Sequence, residues 1–326
     1  MKLASLILML AAGTALAATE EQINKTFALA PGGTVVVDVD DGAIDVTTNA
    51  TAEVAVNVWR QVTRKNKAEE TAFLRDNPVE LLTEGNTVTV RYRQQREKHS
   101  WFSWHWGNDR HEAKFTLKVP AHCDAKLGTS GGDIAVSDVT GSVKADTSGG
   151  GLRFVRLQGP LHGETSGGNI QAEDCAGEIK IETSGGNVAV TGGSGGLNGG
   201  TSGGDVSVKN FHGSASVETS GGSITIENVA GALHAETSGG DVHAVLPAPI
   251  PGAVKLETSG GSITVKVSAD AAFNLDAETS GGGVQCELPI LLKGEKNPDE
   301  LKGTVNGGGP TLKLETSGGG IHVQKL

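Results

Sequence analysis

The chain has 326 residues and a net charge of −11, from 38 acidic against 27 basic side chains, and it is rich in glycine, with 48. The acidic balance argues against nucleic-acid binding, which relies on Lys and Arg neutralising phosphates. One Tyr, seven Phe and four Trp leave a thin core of small aliphatic side chains, and three cysteines (Cys123, Cys175, Cys286) cannot all pair within one chain.

Residues 1–17 read as a secretory signal peptide. Lys2 gives the positive start, Leu3 to Leu10 begin the apolar stretch, and Ala15-Leu16-Ala17 is a small-x-small cleavage site. The apolar run is too short to span a bilayer and polar Thr19-Glu20-Glu21 follows it. No cysteine follows the cleavage site to carry a lipid anchor, and no later segment is apolar enough to cross a membrane. The expectation is an exported chain of net charge −12 once Lys2 is removed, periplasmic, extracellular or associated with the cell surface.

Residues 18–120 form an N-terminal β-rich region. Thr34 to Val39 alternates apolar and polar residues as a strand does, and Glu53 to Val62 reads as another. Lys65 to Asp76 has helix-forming composition and is stopped by Pro78. Asn86 to Tyr92 and Ala113 to Val119 look like the two strands of a hairpin. Between them lies an insertion rich in Trp and His, from Arg93 to Glu112.

From residue 121 to 326 a repeat takes over. Thr-Ser-Gly-Gly starts at Thr129, Thr147, Thr165, Thr183, Thr201, Thr219 and Thr237 with a strict period of 18 residues, then at Thr258, Thr279 and Thr316. With Thr as position 0, positions 5 and 7 are apolar (Ile134/Val136, Val206/Val208), position 12 is Gly, and positions 14 and 16 are again mostly apolar (Ile179/Ile181). This pattern predicts two short strands per unit, with turns at Ser-Gly-Gly and at positions 9–12 whose glycines allow positive φ. A unit this small cannot bury its apolar side alone, so neighbouring units must stack. The predicted fold is all-β: a parallel β-solenoid of ~18-residue, two-strand coils, with a short helix and a hairpin insertion near the N-terminal end, extending roughly 50 Å over ten coils. Two other 18-residue solenoids fit poorly. A left-handed hexapeptide helix needs aliphatic residues where this chain has Glu, and a calcium-binding β-roll needs Gly-Gly-x-Gly-x-Asp in both halves of the coil.

The run from Phe115 to Val136, the fragment Asp41-Gly42-Ala43-Ile44 and the recurrent Glu-Thr-Ser-Gly-Gly-x-Ile/Val together resemble a bacterial family of exported β-strand-repeat proteins that carries an adhesin label. The resemblance covers nearly all of the mature chain. It implies an exported β-solenoid and brings no catalytic residues with it.

Three features are candidates for function. Trp101, Phe102, Trp104, His105 and Trp106 fall within six residues of the insertion, where exposed aromatic rings could stack on sugars or contact a partner. The same segment could instead cap the open end of the solenoid, which needs protection against edge-to-edge pairing. His99, His105 and His111 are spaced by six, which matches no common zinc pattern, so no metal or other cofactor is expected.

The second feature is a column of acids at position 17, from Asp146 and Glu164 to Glu315. Stacked ~5 Å apart, they would repel by a little under 1 kcal/mol each even in water. Lys or His two residues earlier, such as Lys144, His162, Lys180, His234 and Lys255, should compensate them on a solvated face. The third is the repeated Thr, which points inward and is read as a turn-stabilising ladder.

Catalysis has little support. Arg153 and Arg156 face no obvious acid cluster, and a Ser repeated ten times is structural. The expected role is therefore non-enzymatic: an elongated surface for binding or adhesion to a cell-envelope protein or glycan. A polysaccharide-acting enzyme on a β-helix scaffold and an envelope-stress sensing component are the alternatives.

Overall fold

The computed structural model describes residues 18–95, 110–294 and 297–326. The signal-peptide segment 1–17 lies outside them. So do Trp101, Phe102, Trp104, His105 and Trp106.

The N-terminal region supplies β1 (Thr19–Ala28), β2 (Gly33–Val39), β3 (Ala43–Asn49), β4 (Glu53–Thr63), helix α1 (Lys67–Asp76), β5 (Val79–Glu84), β6 (Thr87–Tyr92) and β7 (Arg110–Pro120). The helix starts two residues later than the sequence suggests because Asn66 caps it. The Asn66 side chain accepts from the Glu69 backbone N–H at 3.0 Å and donates to the Glu69 carboxylate at 2.9 Å.

From Cys123 to Cys286 the strands alternate between two sheets, one 14-stranded and one 15-stranded, that face each other across a single apolar core. The register is the 18-residue period made physical. Leu152 lies beside Ile134 and Ile170 in one sheet, and Thr147 lies beside Thr129 and Thr165 in the other. Identical positions therefore stack, and their buried side chains form columns between the sheets. Phe154 fills the space left by Gly163, where an added Cβ would sit 2.8 Å from the ring.

The coils do not all stack in chain order. At the N-terminal end, β2 and β3 form a coil that lies between β6–β7 and the first Thr-Ser-Gly-Gly coil. At the other end, Thr311–Thr316 and Ile321–Lys325 insert between the coil of Val254–Thr258 and Ile263–Val267 and that of Phe273–Thr279 and Val284–Cys286. The long interval between Thr279 and Thr316 is what allows this return. It contains Ile290–Leu292 and Glu300–Val305, which pair antiparallel, so this stretch is a hairpin.

The hairpin expected between 86–92 and 113–119 does not form. β6 joins the 15-stranded sheet, between β2 and antiparallel β5, while β7 joins the 14-stranded sheet, between β3 and antiparallel β4. Both segments alternate as strands should, but alternation does not specify a partner. They are the two halves of one coil, which Arg93–Gln95 leave at the corner that Asp40-Asp41-Gly42 fill in the β2–β3 coil.

The role of the Ser-Gly-Gly glycines also differs from expectation. None of them has positive φ; the left-handed residues lie in the opposite turn, at position 9 (Asp138, Arg156, Asp174, Asn210, Asn228) and at glycines such as Gly159 and Gly177. The second Gly of each motif is required by proximity instead. A Cβ there would lie 2.0–2.4 Å from the carbonyl oxygen of the equivalent glycine in the adjoining coil.

Replacing Gly186 with Ala should therefore cost about 2–3 kcal/mol through overpacking. Gly128→Ala, whose Cβ would meet nothing nearer than the Val37 carbonyl oxygen at 4.0 Å, should stay within about 0.5 kcal/mol of wild type. Thermal or denaturant unfolding of the two variants gives the comparison; equal losses would reject the close-approach account.

Candidate functional site

The Thr-Ser-Gly-Gly corner runs the length of the molecule. Each motif Thr is buried, and its Oγ1 donates to the second-glycine carbonyl of the adjoining coil at 2.7–3.0 Å. Thr129 makes the same bond to the carbonyl of Gly42, which carries the ladder into the β2–β3 coil. The hydroxyl also accepts from a glycine N–H within its own motif, as Thr201 does from Gly204 at 3.2 Å. A second ladder went unnoticed in the sequence: the side chains of Asp133, Asn169, Asn187, Asp205 and Asp241 accept from the backbone N–H one coil further on, at 2.7–2.8 Å. Its signal was the recurrence of Asp, Asn or Ser directly after the second Gly.

Outside the Thr ladder stands the column of acids. The expected compensation is present, since Lys144 reaches Asp146 at 3.5 Å, Lys180 reaches Glu182 at 3.2 Å, Lys255 reaches Glu257 at 2.7 Å and Lys313 reaches Glu315 at 2.9 Å. Two coils place His in the Lys position. His162 groups with Asp146 and Glu164, and His234 with Glu236 and Glu257, their potential ligand atoms lying within 4.8 Å of one another. Nitrogen with two carboxylate oxygens is a donor set that a borderline divalent cation accepts. In each group, however, one carboxylate already faces a lysine ammonium, Lys144 or Lys255, which a cation would have to displace.

The coil at Ser194–Thr201 interrupts the column. Gly200 stands where its neighbours carry Glu182 and Glu218, and on the same outer face Gly196 and Asn198 lie beside the longer Glu178 and Lys180. Two depressions meet there. One, of about 440 Å³, follows the corner between acids and motif serines from Glu164 to Ser238. The other, of about 630 Å³, is a mostly apolar trough on the outer sheet face, floored by residues such as Gly196, Ser214 and Ala232 and edged by Glu178, His234 and Lys255.

At the N-terminal end the corner leads to the root of the insertion, where Arg93 lines a further groove of about 390 Å³ with Asp38, Ser130, Asp146 and Glu164. Arg93 pairs with Asp38 and, at 2.9 Å, with Asp40. The Gln94 and Gln95 backbone N–H groups donate to Asp40 and Asn77 at 2.9 and 2.6 Å. On the returning side, His111 lies 3.1 Å from the Tyr92 hydroxyl and 3.2 Å from the Gln94 amide, against the rings of Phe73 and Tyr92. Beneath it, buried Arg60 pairs with Glu21, donates to the Asn77 carbonyl at 2.6 Å and lies over the Tyr92 ring. Of the three spaced histidines, His111 is therefore part of the packed end, while His99 and His105 fall outside the described residues.

The remaining candidates have structural roles. Arg153 and Arg156 are committed to ion pairs that the sequence reading did not anticipate, with Glu173 at 3.3 Å and Asp138 at 2.6 Å. Cys123 and Cys175 are buried, and Cys286 is half-buried on a short edge strand. Burial pushes the Cys123 thiol up to about 11 and raises the other two, which leaves them poor nucleophiles.

Together these features define a parallel β-solenoid that carries antiparallel strands toward its ends and whose coils are joined by buried hydroxyl and Asx ladders. The chain belongs to the Toastrack DUF4097 family, whose model matches residues 34–324. Solved bacterial structures to which the chain is similar include two proteins provisionally called adhesins. The one from Parabacteroides distasonis has 12% identity and a TM-score of 0.40, and the one from Bacteroides fragilis 13% and 0.34; each pairing covers 93% of this chain and 97% of the other. A second P. distasonis protein, provisionally called lipid binding, has 10% identity and a TM-score of 0.28 over the same shares. No curated protein matches the sequence.

Two predictions follow from the charges. Burial holds the His111 imidazole below its ordinary value of 6.5, outweighing the opposing pull of Asp41. The unfolded chain therefore binds the proton more readily, and this contribution to stability is full above pH 6.5 and lost as pH falls through the lowered value. His111→Gln should reduce the loss of melting temperature on acidification below 6.5; an unchanged pH profile would rule His111 out. Glu218, whose strand offers Ser216 in place of Lys, lies directly beside Glu236. Glu218→Gln should raise the melting temperature slightly at low salt and leave it unchanged at high salt, whereas a fall at low salt would contradict net repulsion in the column.

Proposed function

We propose that this protein is exported and non-enzymatic, and that it presents the solenoid corner and the 99–107 insertion to a cell-envelope protein or glycan, in the periplasm or at the cell surface. The observation that carries the reading is where the insertion is rooted. Its flanking residues emerge from the corner of a coil and open onto the acid- and hydroxyl-lined groove. At that end β1 and β4 extend one sheet, β5 extends the other, and α1 packs against β1 and β4. Both sheets are extended at this end without Trp101, Trp104 and Trp106, which favours the contact role for these rings and for Phe102 and His105. Among the described residues no helix is long and apolar enough to cross a membrane.

The test is a triple variant, Trp101→Ala with Trp104→Ala and Trp106→Ala, compared with wild type on a glycan array and on purified envelope fractions. Binding should fall at least tenfold while the melting temperature holds. Undiminished binding would remove the insertion from the site, and unfolding would return it to the capping role. Mass spectrometry of the mature protein should find Ala18 at the N-terminus; a retained leader would refute export by cleavage.

A further inference from the structure

Among the described residues, the large apolar side chains left exposed are Leu82, Leu291, Leu292 and Leu326. Three of these four leucines lie at the two ends of the solenoid. Leu82 is on β5, the last strand at one end of the 15-stranded sheet. Leu291 and Leu292 are on the strand Ile290–Leu292, the last at the opposite end of the same sheet, and Leu291 is 77% exposed. Among the described residues each of these strands has a ladder partner on one side only, which leaves a row of backbone N–H and C=O groups without a strand partner. Such edges are normally blunted by charge or by covering elements. The 14-stranded sheet follows that rule at β1, which exposes Glu20, Gln22, Asn24 and Lys25. The 15-stranded sheet carries Glu80 and Glu84 on β5 but also exposes Leu82 there, and it exposes Leu291 and Leu292 at its other end.

We infer that the two ends of the 15-stranded sheet are an interface with a second copy of this chain, joined head to tail so that Ile290–Leu292 of one molecule extends the sheet at β5 of the next. Two observations select this occupant and this polarity. Strand direction is compatible: β5 runs antiparallel to β6, and Ile290–Leu292 runs antiparallel to its own neighbour Glu300–Val305, which is antiparallel to Phe273–Thr279. A copy displaced along the solenoid axis in the same orientation therefore brings the two edges together as an antiparallel pair. Charge is compatible as well. β5 carries exposed Glu80 and Glu84, while exposed Lys293 follows Leu292 directly. Joining two N-terminal ends would set these glutamates against each other, and joining two C-terminal ends would oppose the lysines; only unlike ends place Glu against Lys. A strand of three residues makes a small contact, so the association is reversible and concentration-dependent. Because the interface is heterologous, it leads to open rows and not to a closed dimer.

Sedimentation velocity of the mature chain, from micromolar to several hundred micromolar, reads the assembly directly. Wild type should form species that lengthen with concentration. Leu82→Asp blocks one end and Leu291→Asp the other. Both positions are exposed, so the variants should keep the wild-type melting temperature, and each alone should remain monomeric. Mixed in equal amounts they should give a dimer and nothing larger, because each contributes one intact end. Wild type that stays monomeric throughout overturns the inference. So does a Leu82→Asp variant that still dimerises, which would mean like ends are joined, and so does assembly lost only in the Trp101/Trp104/Trp106 variant. None of these outcomes depends on whether the insertion binds an envelope partner.

Discussion

The fold depends on how closely successive backbones approach at the Thr-Ser-Gly-Gly corner. The second glycine of each motif sits where any Cβ would overlap the carbonyl of the adjoining coil, and that carbonyl accepts the buried Thr hydroxyl from the same corner. The two contacts act on one point: absence of a side chain lets the coils come together, and the hydroxyl satisfies the carbonyl that this approach buries. With the corner held, the rise from coil to coil is set, and the aliphatic columns at Ile134, Leu152 and Ile170 fall into register behind it. Core packing follows from corner geometry here, which explains how a chain with so few aromatic residues sustains sheets of 14 and 15 strands.

Because the corner is occupied by the same residues in coil after coil, its outer surface becomes a row of alternating charges and hydroxyls with no natural focus. Individuality enters where the row is broken. At Gly200 an acid is missing and the surface dips; at Arg93 the corner opens into the insertion. The family match covers residues 34–324 and therefore includes both breaks, but the features that could distinguish this chain are the departures from the repeat.

Much of this was legible in the sequence. Periodicity in steps of 18 reveals parallel, in-register stacking because a displaced register would carry Thr147 away from Thr165 and expose Leu152. The compensated column was readable for the same reason: Lys180 and Glu182 share one face of a strand. Coil order was not readable. When every coil offers the same edge, Thr258 can pair with the motif at Thr316 as well as with that at Thr279, and local pattern does not distinguish them. The expected pairing of 86–92 with 113–119 failed for a related reason, since alternation marks a strand without naming its sheet. Glycine was misread because composition cannot separate a residue needed for its dihedral angles from one needed for its missing Cβ, as Gly177 and Gly168 illustrate. The aromatic segment at 101–106 drew attention by composition alone, and its surroundings became informative only once β6 and β7 were seen to be two sides of one corner.

The coil formed by Thr311–Thr316 and Ile321–Lys325 has a consequence for assembly of the fold. It is latest in sequence yet has parallel neighbours on both sides. Until it arrives, the coil ending at Val267 and the one beginning at Phe273 each present an open parallel edge across a gap one coil wide. The solenoid therefore cannot be completed by simple addition from one end. Its last piece is a keystone, and closing that gap joins the C-terminal hairpin and the coil beneath it to the rest of the stack in a single step.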